Sequence, residues 1–154
     1  MKKYVIAGLI GSFIGGICLG RWSREEDLVA ERNRVKKFED YFSILNSWLK
    51  LKNHGGEVKD YFCKNKFRRI GIYGMGELGK RLYEELEKSD VEIIFAMDKG
   101  GYNLPNGLRM VNESEEIPTV DVIVVTPTFD YNNIENSLQQ RTHNKIVSIS
   151  EIFI

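Results

Sequence analysis

The chain is poor in the residues that carry most covalent and acid–base chemistry. Two of its 154 residues are cysteine, Cys18 and Cys63, and two are histidine, His54 and His143. Cys18 falls in an apolar run and Cys63 in the body of the chain, which excludes a disulfide framework and gives no pair spaced for zinc. No metal site is expected. His54 sits at a helix end and His143 in the polar run 139–144, so both read as solvated residues, and imidazole-based catalysis has little to draw on. Net charge is also missing. The 22 Lys and Arg balance the 22 Asp and Glu, which removes the electrostatic footprint of a nucleic-acid-binding domain. The length allows one modest domain with accessories.

Residues 4–19, YVIAGLIGSFIGGICL, contain no charge at all. Lys2 and Lys3 precede them; Arg21, Trp22 and Arg24 follow. Counting Gly20, about 17 residues span about 25 Å as a helix, against a bilayer core of about 30 Å. Lys3, Arg21 and Trp22 can bridge that difference by snorkelling. A cleaved signal peptide, a buried core helix and an uncleaved anchor compete for this segment. It has no A-x-A cleavage site, and Ile17 before Cys18 does not suit a lipoprotein box, so a transmembrane anchor over residues 1–22 is the favoured expectation. Basic residues after the run outnumber those before it, which places the C-terminal body in the cytoplasm. Gly11/Gly15 and Gly16/Gly20 have the spacing that lets two membrane helices approach closely, although glycine is common in such helices anyway.

Residues 23–66 read as a helical connector. Ser23 and Glu26 fit a capping box. Leu28, Val35, Phe42 and Leu49 recur seven apart, with Phe38 and Leu45 interleaved and Tyr41 and Trp48 widening the stripe, while Glu31 and Lys52 break the seam. The pattern predicts an amphipathic helix of about 28 residues that stops at Asn53-His54-Gly55-Gly56. The 28–49 stripe suits either a second copy of the chain, as a short coiled coil, or docking on the domain that follows. Charges over 24–37 favour a solvated stalk for its first half, and the aromatics favour docking for its second. One or two further helical turns are expected over 57–62.

The remaining residues, 67–154, carry the clearest pattern. Arg69-Ile70-Gly71-Ile72-Tyr73 reads as a buried strand, and Gly74-Met75-Gly76-Glu77-Leu78-Gly79 follows at once. A helix over 80–88 and a second strand over 91–97 come next, and that strand ends in Asp98. In this order each glycine serves a purpose. Gly74 permits the tight turn, Gly76 the approach of a pyrophosphate, and Gly79 close strand–helix packing. The helix start offers N–H groups and partial positive charge to phosphate. Asp98, 19 residues beyond Gly79, is placed to accept hydrogen bonds from ribose hydroxyls. Glu77 opposes an anion, and Asp98 could equally cap a turn. Residues 108–111 suggest a short strand, 120–125 a buried one ending in Thr126-Pro127-Thr128, 130–140 a helix and 145–149 a last strand. The expected fold is α/β, a small Rossmann-like parallel sheet of about five strands behind a transmembrane helix and a connecting helix. Ligands lie at the carboxyl ends of such strands, so Thr126, Pro127 and Thr128 should share a crevice with Gly76 and Asp98.

Trp48-Leu49-Lys50-Leu51-Lys52, the glycine turn, Asp98 and Val120-Asp121-Val122-Ile123-Val124-Val125-Thr126-Pro127 together resemble a module of bacterial surface-polysaccharide biosynthesis proteins. The stretch 48–154 is similar to the small N-terminal domain of sugar acetyltransferases and to the core of nucleoside-diphosphate-sugar epimerases and dehydratases. That resemblance implies NAD or a nucleotide sugar as ligand, polysaccharide-assembly proteins as partners, and the cytoplasmic membrane of a bacterium as location. The acetyltransferases' hexapeptide repeat is absent, and so is the epimerases' Tyr-x-x-x-Lys pair: Tyr73, Tyr83 and Tyr131 are followed four residues on by Glu77, Glu87 and Glu135. No catalytic residue is therefore assigned. Three readings stand: a non-catalytic binding module, an enzyme or enzyme subunit drawing on Tyr73, Thr126, Asp130 or His143, and a structural protein whose glycines serve packing alone. The expected binding residues are Gly74, Met75, Gly76, Glu77, Leu78, Gly79, Asp98, Thr126 and Pro127.

Overall fold

A computed structural model describes residues 2–98, 100 and 107–153, with the backbone course alone for residues 2–27. The elements run α1 (Lys2–Asn53), α2 (Val58–Lys64), β1 (Arg69–Tyr73), α3 (Glu77–Leu86), β2 (Glu92–Met97), β3 (Val122–Val125), α4 (Tyr131–Gln139) and β4 (Lys145–Ser148). Short 3-10 turns, Thr128–Asp130 and Ile149–Phe153, precede α4 and follow β4. The chain divides into two compact units, Met1–Glu39 and Asp40–Ile154.

The first unit consists of the helical backbone of α1. No helix among the described residues is long and apolar enough to cross a membrane, which overturns the transmembrane span expected over residues 4–20. The uncharged run, at about 25 Å, falls short of the bilayer core, and α1 passes without a break through Arg21, Arg24, Glu25 and Glu26. Ser23 accordingly lies inside a 52-residue helix and not at the start of a shorter one. Gly11, Gly15, Gly16 and Gly20, with Cys18, fall among residues whose side chains lie outside the description.

The second unit is a doubly wound half-sheet. Among the described residues the sheet has four strands, all parallel, in the order β2-β1-β3-β4. The strand expected over residues 108–111 is reduced to one parallel bridge, Ala96 to Met110. Two backbone bonds hold it, Ala96 N–H to Arg109 and Val111 N–H to Ala96, both 2.9 Å. Gly107, at φ +90°, and the turn after Val111 curtail it before a ladder forms. Among the described residues the sheet therefore has four strands and not five.

Alternation along each strand divides the core into two layers. Ile70, Ile72, Ala96, Val122, Val124 and Val147 face one side, with Leu78, Leu82 and Leu86 of α3, Val58 and Phe62 of α2, and Ile44 and Trp48 of α1. Phe95, Met97, Ile123 and Val125 face the other, with Ile134 and Leu138 of α4. The β1–α3–β2 and β3–α4–β4 crossovers thus lie on opposite faces, as right-handed connections require when the chain winds outward in both directions from the centre. The carboxyl ends of β1 and β3 are the switch point where the two halves diverge.

The last turns of α1 belong to this unit. Tyr41, Ile44, Trp48 and Leu51, spaced three and four apart, turn inward, and the Trp48 ring lies 5.0 Å from that of Phe153. The helix stops in a Schellman motif. Gly55, at φ +76°, donates to Lys52 and Gly56 donates to Leu51.

Candidate functional site

The glycine turn sits at the switch point, between the carboxyl end of β1 and the start of α3. Three hydrogen bonds tie it to the neighbouring strands. Gly74 N–H donates to Met97 O at 2.8 Å. The Thr126 hydroxyl donates to Gly74 O at 2.8 Å. Met75 N–H donates to an Asp98 carboxylate oxygen at 2.5 Å. The ends of β2, β1 and β3 are thereby joined through this one turn.

Its glycines differ in what the fold asks of them. Gly74 adopts φ +93°, and a Cβ there would meet Thr126 Oγ1 and Pro127 Cδ at 2.7 Å, so side chains are excluded by conformation and by space. A Cβ on Gly79 would collide with the Gly74 carbonyl oxygen; the helix lies too close to the turn for any side chain. Gly76 is the exception. Its φ is −67°, which every residue adopts, and a Cβ there would have no atom within 4 Å. It is the N-cap of α3 and supplies no side-chain cap. The N–H groups of the first helical turn have no intrahelical acceptor by construction, so this end of α3 presents donors and partial positive charge to the open space at Gly76.

Among the expected site residues, Gly74, Met75, Gly76, Glu77, Leu78, Gly79 and Asp98 gather here. Met75 and Leu78 are buried, and they hold the turn from beneath as part of the core. Glu77 is exposed, with Lys80 Nζ and Arg81 Nη2 each 3.9 Å from its carboxylate. Those two cations offset the repulsion Glu77 would exert on an anion, though exposed pairs act weakly. One Asp98 oxygen accepts from Met75 and the other from Gly100 N–H at 2.6 Å. Asp98 therefore caps the turn. A carboxylate has about four lone-pair sites, so two such bonds leave capacity for a ribose hydroxyl. Lys99 and residues 101–106 lie outside the description.

Thr126 and Pro127 support the turn from behind. Thr126 is 3% exposed, with its hydroxyl committed to Gly74, and Pro127 closes against the position a Gly74 side chain would take. Thr128 points elsewhere, its hydroxyl 3.3 Å from an Asp40 oxygen. It lines a separate polar cleft of about 360 Å³ with Asp40, Ser43 and Ile44 of α1, Tyr131 and Asn132 of α4, and Ser148 and Ser150 beyond β4. Sequence reading missed this cleft, because the residues that form it lie up to about 110 positions apart (40 to 150) and share no motif. A hydroxyl at the end of β3 was the one available signal.

Burial foremost, then the carboxylates of Glu113, Asp98 and Asp130, pushes the Tyr73 phenol above its ordinary pKa. The Tyr131 phenol is raised by burial and by its bond to Glu135 at 3.1 Å. Both stay protonated at neutral pH. Asp130 accepts from Asn133 at 2.6 Å, and His143 and His54 are exposed. Among the described residues no cluster of His, Cys, Asp and Glu is arranged to hold a metal ion.

No family model matches the chain, and no curated protein or solved structure is significantly similar to it.

Proposed function

We propose that the protein is a non-catalytic binding module for a nucleotide or nucleotide sugar, serving the assembly of a cell-surface polysaccharide. The observation that carries the binding half of this reading is Gly76. The fold demands glycine at positions 74 and 79 and has no use for it at 76, where conformation and space admit any residue. A side chain at 76 would instead occupy the space above the N-terminus of α3, where a phosphate is best received. Asp98, bonded to the same turn, gives the ribose side a hydrogen-bond acceptor and disfavours a 2′-phosphate. The polysaccharide half rests on the resemblance of residues 48–154 to that group of proteins.

The same geometry argues against independent catalysis. Thr126 is consumed by the turn, Asp130 by Asn133, and both nearby phenols are held protonated. The second half of an extended dinucleotide would run towards the ends of β3 and β4. A cleft of about 360 Å³ lined by Asp40, Ser43 and Ile44 of α1 opens there, and the Asp40 carboxylate suits the hydroxyls of a sugar.

Thermal unfolding in the presence of NAD(H), NADP(H), UDP-sugars and CMP-sugars tests the reading. A ligand at about 100 times its Kd adds about 2.7 kcal/mol, which raises the melting temperature by several degrees. The reading predicts that rise for at least one nucleotide sugar, larger than for NADP(H). No rise with any nucleotide would refute it. Turnover of a nucleotide sugar by the purified protein would replace it with the enzyme reading.

A further inference from the structure

Helix α1 carries two apolar seams. Tyr41, Ile44, Trp48 and Leu51 turn onto the domain's own core. Leu28, Val35, Phe38, Phe42, Leu45 and Leu49 make the other seam, and each is about half exposed or more, Phe42 reaching 73%. These six are most of the eight large apolar side chains exposed among the described residues. In heptad terms Leu28, Val35, Phe42 and Leu49 take position a, and Phe38 and Leu45 take position d. The two seams share the 3.5-residue repeat, are offset by one residue, and so lie about 100° apart around the helix. Docking on the domain therefore leaves the a/d seam bare.

The charges beside this seam specify its occupant. In a parallel, in-register pair of helices each g residue faces the e residue five positions on in the other copy. Asp27 at g then meets Arg32 at e, and Arg34 at g meets Glu39 at e. Both pairs are opposite in sign, and two-fold symmetry makes each occur twice. The two residues that break the seam at d are neutralised within the chain. Glu31 lies 3.5 Å from Arg34, and Lys52 lies 2.7 Å from Glu85 of α3. Lys52 is thereby drawn onto its own domain, and neither charge enters a dimer core uncompensated.

From this pattern we infer that the protein self-associates as a parallel, in-register coiled-coil dimer along residues 28–49 of α1. Sedimentation velocity of the full chain should show a reversible dimer. Phe42→Glu with Leu45→Glu should weaken it by at least about 100-fold while the second unit keeps its own near-ultraviolet circular-dichroism spectrum, since both side chains are exposed in the single chain. Arg34→Glu alone and Glu39→Arg alone should each weaken it by roughly three- to tenfold. Mixed together, those two variants should form a heterodimer tighter than either variant alone, because each charge at 34 and 39 then meets its opposite. A Leu45→Cys chain with Cys18→Ser and Cys63→Ser should form a disulfide across the seam on mild oxidation. A monomer at all accessible concentrations would overturn the inference. So would a dimer unaffected by Phe42→Glu with Leu45→Glu, a mixture of charge variants no tighter than its components, or failure of the Leu45→Cys chain to cross-link.

Discussion

Asp121 and Gly79 show how much of this fold hangs on single contacts. Asp121 stands exposed before β3, and one of its carboxylate oxygens accepts from Arg68 N–H at 2.7 Å and Arg69 N–H at 2.8 Å. Those two backbone donors, more than the Arg69 charge, hold its pKa below the ordinary 3.8. A carboxyl with a lowered folded pKa contributes stability that is fully present above its unfolded pKa and lost as pH falls through the folded one. Asp121→Ala should therefore cost about 1 kcal/mol at neutral pH, allowing for solvent screening. That gap should close as the pH falls from about 5 to below about 3, as urea unfolding of both chains would reveal. Gly79→Ala, which sets a Cβ against the Gly74 carbonyl, should cost about 2–4 kcal/mol. Gly76→Ala, with open space around it, should stay within about 0.5 kcal/mol of wild type in the same measurement.

Among the elements outside the sheet and its crossovers, the close of α1 packs onto the core through Ile44 and Trp48. Trp48 is 7% exposed, with Phe153 stacked obliquely on it. Trp48→Ala should destabilise the second unit by about 3–5 kcal/mol, read as a lower denaturation midpoint with the slope unchanged. Local pattern made β1 legible to the residue: apolar alternation begins at Arg69, and the glycine turn ends it at Tyr73. The Gly55-Gly56 stop of α1 was equally legible, since only glycine readily takes the left-handed position there. The start of α1 was not. Ser23 and Glu26 form a capping-box string, yet the helix continues through them, because a string of residue types does not determine whether the preceding chain is helical. The short strand over 108–111 has strand-like composition, but pairing is a tertiary event, and it obtains one bridge. Asp98 stands at the strand end where spacing put it, and it also caps the glycine turn. Its bond to Met75 depends on a turn 23 residues earlier, which spacing alone does not reveal.

For the molecule as a whole, the switch point links fold to function. Opposed crossovers leave the carboxyl ends of β1 and β3 diverging, and hydrogen bonds from Gly74, Met75 and Thr126 fix the turn that fills the gap. Packing explains every constraint on that turn except the glycine at 76. The most direct test is a calorimetric titration of wild type and Gly76→Asp with the nucleotide that most raises the wild-type melting temperature. Aspartate is a better N-cap than glycine, so the variant without ligand should melt at the wild-type temperature or slightly above. Its carboxylate would stand where the phosphate binds, and affinity should fall by roughly 100-fold or more. A variant as stable as wild type that no longer binds is the predicted result. Equal affinity in the two proteins would contradict the account.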